Sequence, residues 1–292
     1  MRDHPVLTPA MLVYLGLSAI AGVIASPVFV AVNAALLAIY IGLITIATRR
    51  DEPVVPSIVA TTRRRDLGMA LALVATLLAA ATIFWTPQSL WVYHQLATLL
   101  AHSLPEAVAG KAANAVLAII LLLLPTVALV LIFRLRAAAI GLRPRHVGLG
   151  LLLAAIDIGL AAAGAAAHAP VEVLWRTYPL GTAFAILGLQ SLVNGIPEEL
   201  AFRGVVTSRL LPWLGRPGNA LVVSAVVFSL FHVPSALANP GGRPAWENVF
   251  GVLLPGLQMT GLVWGYLWYR TRSIWPGVIW HTAISGFGVM FA

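Results

Sequence analysis

The sequence predicts an all-α fold, a polytopic membrane helical bundle of about eight to nine transmembrane helices. Three observations predict it. Of 292 residues, 60% are hydrophobic and 10% charged, whereas soluble domains carry about 25% charged residues, and the mean hydropathy is +0.93. Apolar runs reach about 20 residues, the length that crosses a hydrocarbon core as helix. Runs such as Val116 to Phe133 also lack the apolar–polar alternation of a membrane barrel strand, which is the other spanning solution.

Nine apolar helices are expected near 8–26, 27–47, 67–86, 112–133, 148–167, 181–209, 219–237, 249–269 and 274–291. The first two meet at Ser26-Pro27, a tight hairpin in which proline starts the second helix. Residues 1–66 read as an N-terminal transmembrane hairpin with a basic loop, and residues 67–292 as the embedded bundle, with its chemical core at about 180–290. No short apolar core with a small-residue cleavage site follows Met1-Arg2-Asp3-His4, so no removable signal peptide is expected. Pro87 to Lys111, with Trp91, Tyr93, His94 and Leu104, reads as an amphipathic segment at the outer interface. Small residues in Leu151 to Ala167 allow close helix approach.

The charges set an orientation. Arg2, Arg49, Arg50, Arg63, Arg64, Arg65, Arg134, Arg136, Arg143, Arg145, Arg209, Arg216, Arg270 and Arg272 fall on one side of this topology, 14 of the 18 basic residues. Lys111, Arg176 and Arg243 fall on the other, and Arg203 lies at membrane depth. The positive-inside rule makes the rich side cytoplasmic, with the N-terminus inside. The net charge of +8 then reflects topology, and nucleic acid is not expected as a partner. Asp51, Glu52 and Asp66 read as solvated ion pairs among those arginines. The absence of cysteine excludes disulfides, zinc–thiolate sites and cysteine nucleophiles.

The chemistry concentrates in Pro197-Glu198-Glu199-Leu200-Ala201-Phe202-Arg203. Ionisable groups at membrane depth are costly and mark functional interiors. Glu199 and Arg203, spaced i, i+4, share a helix face and read as a structural pair. Glu198, turned about 100° from Glu199 by the helical pitch, points elsewhere and reads as the reactive carboxylate. Pro197 kinks the helix and opens space beside it. The bland alternative is a purely structural charge triad tying helices together. On the next apolar run, Phe228 and His232 share a face. On the last, His281 is followed one turn later by Ser285, a pair able to donate hydrogen bonds to a developing oxyanion. At about 1.5 Å per residue, Glu198 and His281 lie roughly 16 and 13 Å from the basic ends of their helices, and His232 roughly 20–24 Å, so the three can converge. Asn194 and Gln190 read as supports for the site, and Asp157 as a hydrogen-bonding link to a neighbouring helix. His94, His102 and His168 read as interfacial.

Glu-Glu-x-x-x-Arg at 198–203, Phe-x-x-x-His at 228–232 and His281 near the end, in that order on successive apolar helices, resemble the CPBP family of intramembrane proteases, the CAAX proteases and bacteriocin-processing enzymes also called the Abi family. Ser273 to His281 resembles the family's last motif. The resemblance covers about 180–290. It implies a membrane-embedded peptidase acting on a membrane-anchored protein or peptide, in which Glu198 and His232 activate a water, and His281 with the residue one turn later stabilises the oxyanion. The chain departs at that residue, where the family has Asn or Asp and this sequence has Ser285.

Two histidines and a carboxylate, Glu198, His232 and His281, can also hold zinc with one open position, and the family has been described both as metalloproteases and as metal-free glutamate enzymes. The expectation favours no cofactor. Non-proteolytic scaffolds, regulators and immunity factors in the family supply the alternative function, which Ser285 keeps open. A proton-coupled transporter would show two repeated halves with broken helices, and none is evident. An integral, multi-pass protein of the bacterial inner membrane is expected, with its N-terminus cytoplasmic.

Overall fold

A computed structural model describes residues 9, 12, 13, 16, 27–51, 63–166, 179–238, 244–253 and 257–290. Among the described residues the chain is helical throughout, without strands. Its elements are α1 (Pro27–Ala47), α2 (Arg63–Phe84), α3 (Pro87–Ala101), α4 (Glu106–Ile132), α5 (Val147–Ala166), α6 (Leu180–Leu214), α7 (Pro217–Ala238), α8 (Ala245–Leu253), α9 (Leu257–Thr271) and α10 (Trp275–Met290). Four of these, within α2, α4, α6 and α7, are long and apolar enough to cross a membrane, and shorter apolar helices cover Ala35–Ala47 and Val147–Ala163. Most of the expected helix at 8–26, Ser26 of the Ser26-Pro27 hairpin, Glu52 and His168 lie outside the described residues.

Two expected elements differ. The segment from Pro87 to Lys111 holds a full helix, α3, and the start of α4. Thr86 caps α3 by accepting the Ser89 N–H at 3.4 Å, and Pro87 occupies the first turn, where its missing N–H costs nothing. Pro105 and Glu106 then start α4 six residues earlier than the apolar run suggests, with the carboxylate at the positive end of the helix dipole. The apolar run at 249–269 divides into α8 and α9.

Prolines shape the two longest helices. α4 opens into a π-helical turn at Ile119–Leu123 just before Pro125, and α6 does so at Ser191–Gly195 just before Pro197. A proline ring clashes with the carbonyl four residues earlier. A wider turn at that place, around Leu121 and Val193, relieves the clash while the helix runs on. A second π-helical stretch, Glu199–Thr207, follows immediately in α6, and such turns recur at functional sites. Pro234 lies inside α7, which stays α-helical.

The basic loops gather at one end of the bundle. Arg65 donates to the Phe133 carbonyl, Arg209 pairs with Asp66 at 3.5 Å, His146 approaches Asp51 at 3.1 Å with Arg145 at 4.0 Å, and Arg270 donates to Thr48 Oγ1 and O at 3.0 and 2.9 Å. Arg272 lies over Trp268 and Tyr269, 5.0 and 5.3 Å from their centroids. Burial lowers its pKa to about 10, with Tyr269 opposing the shift. Gly141 takes a left-handed φ of +76° at the end of a short 3₁₀ turn, and its carbonyl accepts the Ile274 N–H at 2.9 Å, tying this loop to the start of α10.

The buried core joins α2, α6, α7, α9 and α10, with contributions from α1, α4 and α5. α6 runs through its middle. Every residue of the stretch Pro197–Thr207 is buried, Glu199 and Arg203 included. α10 packs against both α5 and α6, and α7 against α9, which brings the helices carrying Glu198, His232 and His281 around one point.

Candidate active site

α6 supplies two adjacent carboxylates that diverge. The Glu199 Oε1 lies 3.2 Å from Arg203 Nη1, the pair expected from their spacing. It also lies 3.3 Å from His281 Nδ1, a contact the spacing within one helix gives no hint of. Glu198 points the other way. Its Oε2 lies 3.8 Å from His232 Nε2 and 3.9 Å from His281 Nε2. His281 therefore stands between the two carboxylates, one ring nitrogen toward each.

The cluster is deep. Glu198 is 6% exposed, Glu199 0%, Arg203 1% and His281 4%. The side chain of His232 is 21% exposed, so the site opens on the His232 side. Glu198 Oε2, inward and buried, has no hydrogen-bond partner among the described residues. A buried carboxylate oxygen without a partner is costly in an apolar interior, and here it faces two imidazole nitrogens across a gap wider than a hydrogen bond. Gaps of this width between polar atoms are the kind that one water bridges.

Hydrogen bonds fix the imidazole orientations. His232 Nδ1 lies 2.8 Å from the Phe228 carbonyl. A carbonyl only accepts, so Nδ1 carries the proton and the neutral ring turns the lone pair of Nε2 toward Glu198. His281 Nδ1 meets the Glu199 carboxylate and donates to it, by the same logic. His281 can then donate from Nε2 only as an imidazolium.

Aromatic residues wall the charges in. Arg203 sits over Phe228, 4.5 Å from its centroid, with Trp264 at 5.3 Å and Phe202 at 5.9 Å, and its Nη2 donates to the Gly261 carbonyl at 3.4 Å. Such stacking suits the weakly hydrated guanidinium. Phe228 also lies 4.7 Å from the His232 ring and packs edge-on against Phe202 at 5.0 Å. Trp264 stacks on His281 with centroids 4.0 Å apart and planes 28° from parallel.

Sequence reasoning passed over Trp264, one of several aromatics in an apolar run. It also passed over two glycines that allow the helices to close in. A Cβ at Gly277 would come within 2.6 Å of Glu199 Oε2, and one at Gly195 would collide with Thr282 Oγ1. The signal for Gly277 was its place beside Pro276 at the start of the last motif.

Ser285 meets Asn194. Its Oγ accepts the Asn194 Nδ2 at 3.4 Å, and Asn194 Oδ1 in turn accepts from Gln190 Nε2. The chain Gln190–Asn194–Ser285 thus links the turn before Pro197 to α10. Ser285 Oγ keeps its own proton free to donate elsewhere.

The donor types of Glu198, His232 and His281 suit zinc, but their spacing does not. A tetrahedral ion with bonds of about 2.0–2.1 Å holds neighbouring donors about 3.3–3.4 Å apart, and the two gaps at Glu198 are wider. Among the described residues no trio of His, Asp or Glu closes around a metal position.

Residues 179–287 match the family described as Type II CAAX prenyl endopeptidase Rce1-like. No curated protein and no solved structure matches the chain. The matched segment holds Glu198, Glu199, Arg203, His232, His281 and Ser285; α1 to α5 lie outside it.

Proposed function

From the match of residues 179–287 to the Rce1-like CAAX protease family, we propose that the chain is an intramembrane endopeptidase that hydrolyses a peptide bond in a membrane-anchored protein or peptide, using a water activated by Glu198 and His232. The observation that carries this reading is the approach of Glu198 Oε2 to both imidazole Nε2 atoms, at 3.8 and 3.9 Å, inside the bundle.

A water in that gap gives one proton to the Glu198 carboxylate and directs the other at the lone pair of His232 Nε2. Its oxygen attacks the scissile carbonyl carbon, and Glu198 takes the first proton. Charge develops on the carbonyl oxygen, where His281 and the Ser285 hydroxyl stabilise it. The tetrahedral intermediate collapses as Glu198 returns its proton to the leaving amine. Preorganised donors in a water-poor site are the larger part of such catalysis, and the Glu199–Arg203 pair holds His281 for that task. The spacing at Glu198 supports a mechanism without metal.

The proposed place of action is a bacterial inner membrane, with the N-terminus and the basic end of the bundle in the cytoplasm. The clustering of the arginine-bearing loops at one end supports this orientation. A second reading, a non-proteolytic scaffold, regulator or immunity protein of the same family, is favoured only by Ser285 at the position of the usual Asn or Asp.

The test uses the purified protein in lipid vesicles with a farnesylated Cys-aliphatic-aliphatic-X peptide, beside a comparison of membrane-protein termini in cells with and without the active chain. Glu198→Gln and His232→Ala should each lower kcat by about 10²–10⁴-fold while the protein still inserts and melts normally. Ser285→Asn should preserve or raise activity. Full cleavage by Glu198→Gln would remove the assignment, and no cleavage by the unaltered protein in either assay would favour the second reading. Metal content measured with and without chelator tests the metal-free mechanism.

A further inference from the structure

We propose that Asp157, on α5, is a positioning residue for His281: its carboxylate, held between Tyr40 of α1 and Trp280 of α10, fixes the indole that aims the next residue at Glu198. The role assumed for His281 rests on the protease reading, but the contacts do not.

Asp157 is the lone carboxylate of an apolar helix, where an ionisable side chain is costly unless partnered. Both of its oxygens are used. Oδ1 accepts the Tyr40 hydroxyl and Oδ2 accepts the Trp280 indole N–H. A carboxylate with a different donor on each oxygen fixes the orientation of both. The two donors also pack on each other, with Tyr40 and Trp280 centroids 4.9 Å apart and edge-on.

The consequence reaches the site by two routes. Trp280 directly precedes His281, so locking its indole sets the rotation of α10 and hence the direction of His281, about 100° further round the helix. Trp280 also meets Trp264 edge-on at 6.2 Å, and Trp264 is the ring on which His281 stacks. The lateral position of α10 is set two turns lower on the same face of α5. There a Cβ at Gly150 would come within 2.7 Å of Pro276 Cα, so the backbones of α5 and α10 touch. Gly150 places α10 and Asp157 turns it. Neither residue, nor Tyr40, lies in the segment that matches the protease family.

The experiment compares Asp157→Leu with Asp157→Asn in the full chain. Leucine fills the space and suits an apolar helix but cannot accept either donor. Asparagine still accepts the Trp280 N–H through Oδ1 and can donate to the Tyr40 oxygen. Histidine side chains are ¹⁵N-labelled, with the His281 signal assigned through His281→Gln. Asp157→Leu should melt near the unaltered protein, shift the His281 signal, leave that of His232 in place, and lower kcat about tenfold at constant KM, in line with the sensitivity of catalysis to small misplacements. Asp157→Asn should keep the His281 signal and stay within about threefold of full activity.

An unmoved His281 signal in Asp157→Leu overturns the proposal, as does an equal shift in both variants. Should Asp157→Leu not fold, Tyr40→Phe replaces it, and an unmoved signal there has the same force. If the unaltered protein cleaves nothing, the protease reading fails while the His281 signal still decides the positioning role.

Discussion

At the scale of the residue, adjacency in sequence hides a division of work. Glu198 and Glu199 are chemically identical neighbours, yet one faces two imidazole Nε2 atoms and the other an arginine and an Nδ1. Their divergence was legible from helical pitch alone, and so was the Glu199–Arg203 pair. The second partner of Glu199 was not, because His281 lies 82 residues away and arrives only through the packing of α10 on α6. Arg203→Met tests the pair. It leaves Glu199 as a buried charge short of its guanidinium, and removing one partner of a buried pair costs about 3–5 kcal/mol. The melting temperature in detergent should fall clearly below that of the unaltered protein; an unchanged melting curve would show that the pair is dispensable for the fold.

At the scale of the element, α6 is decisive, and its irregularity matters as much as its polarity. The expectation for 181–209 was an α-helix kinked at Pro197, and the chain instead widens at Ser191–Gly195 and again at Glu199–Thr207. Pro197 was visible in the sequence, but the form its accommodation takes depends on the neighbours that hold the helix continuous. Deleting Val193 would return the first wide turn toward α-helical pitch, turning Gln190 about 100° relative to Asn194. The Gln190–Asn194–Ser285 chain would break. The expected outcome is a folded protein that loses most of its cleavage of the farnesylated peptide. Retained activity would show that the wide turn only accommodates the proline. α3 and α4 teach a related lesson: Thr86-Pro87 and Pro105-Glu106 are ordinary helix-start signals, and the weight given to exposed polar and aromatic residues concealed them.

At the scale of the whole molecule, the lack of cysteine makes the orientation testable without background. Single cysteines at Arg64, Arg143 and Ser103 should separate by side. In intact cells a membrane-impermeant maleimide should label Ser103→Cys, and should label Arg64→Cys and Arg143→Cys only after the membrane is opened. Labelling of Arg143→Cys in intact cells would invert the topology. The sequence by itself determined the helical class, the membrane setting and which three helices carry the membrane-depth carboxylates and histidines, because hydropathy, helical pitch and the scarcity of buried charge are local properties of a chain. It also marked Asp157 as a carboxylate in need of a partner. Only the tertiary structure decided which atoms meet: His281 between two carboxylates, Trp264 stacked against it, Asp157 joined to both Tyr40 and Trp280. Those contacts depend on how far one helix turns and how closely its glycines let another approach, and neither quantity is written in the residues of a single helix.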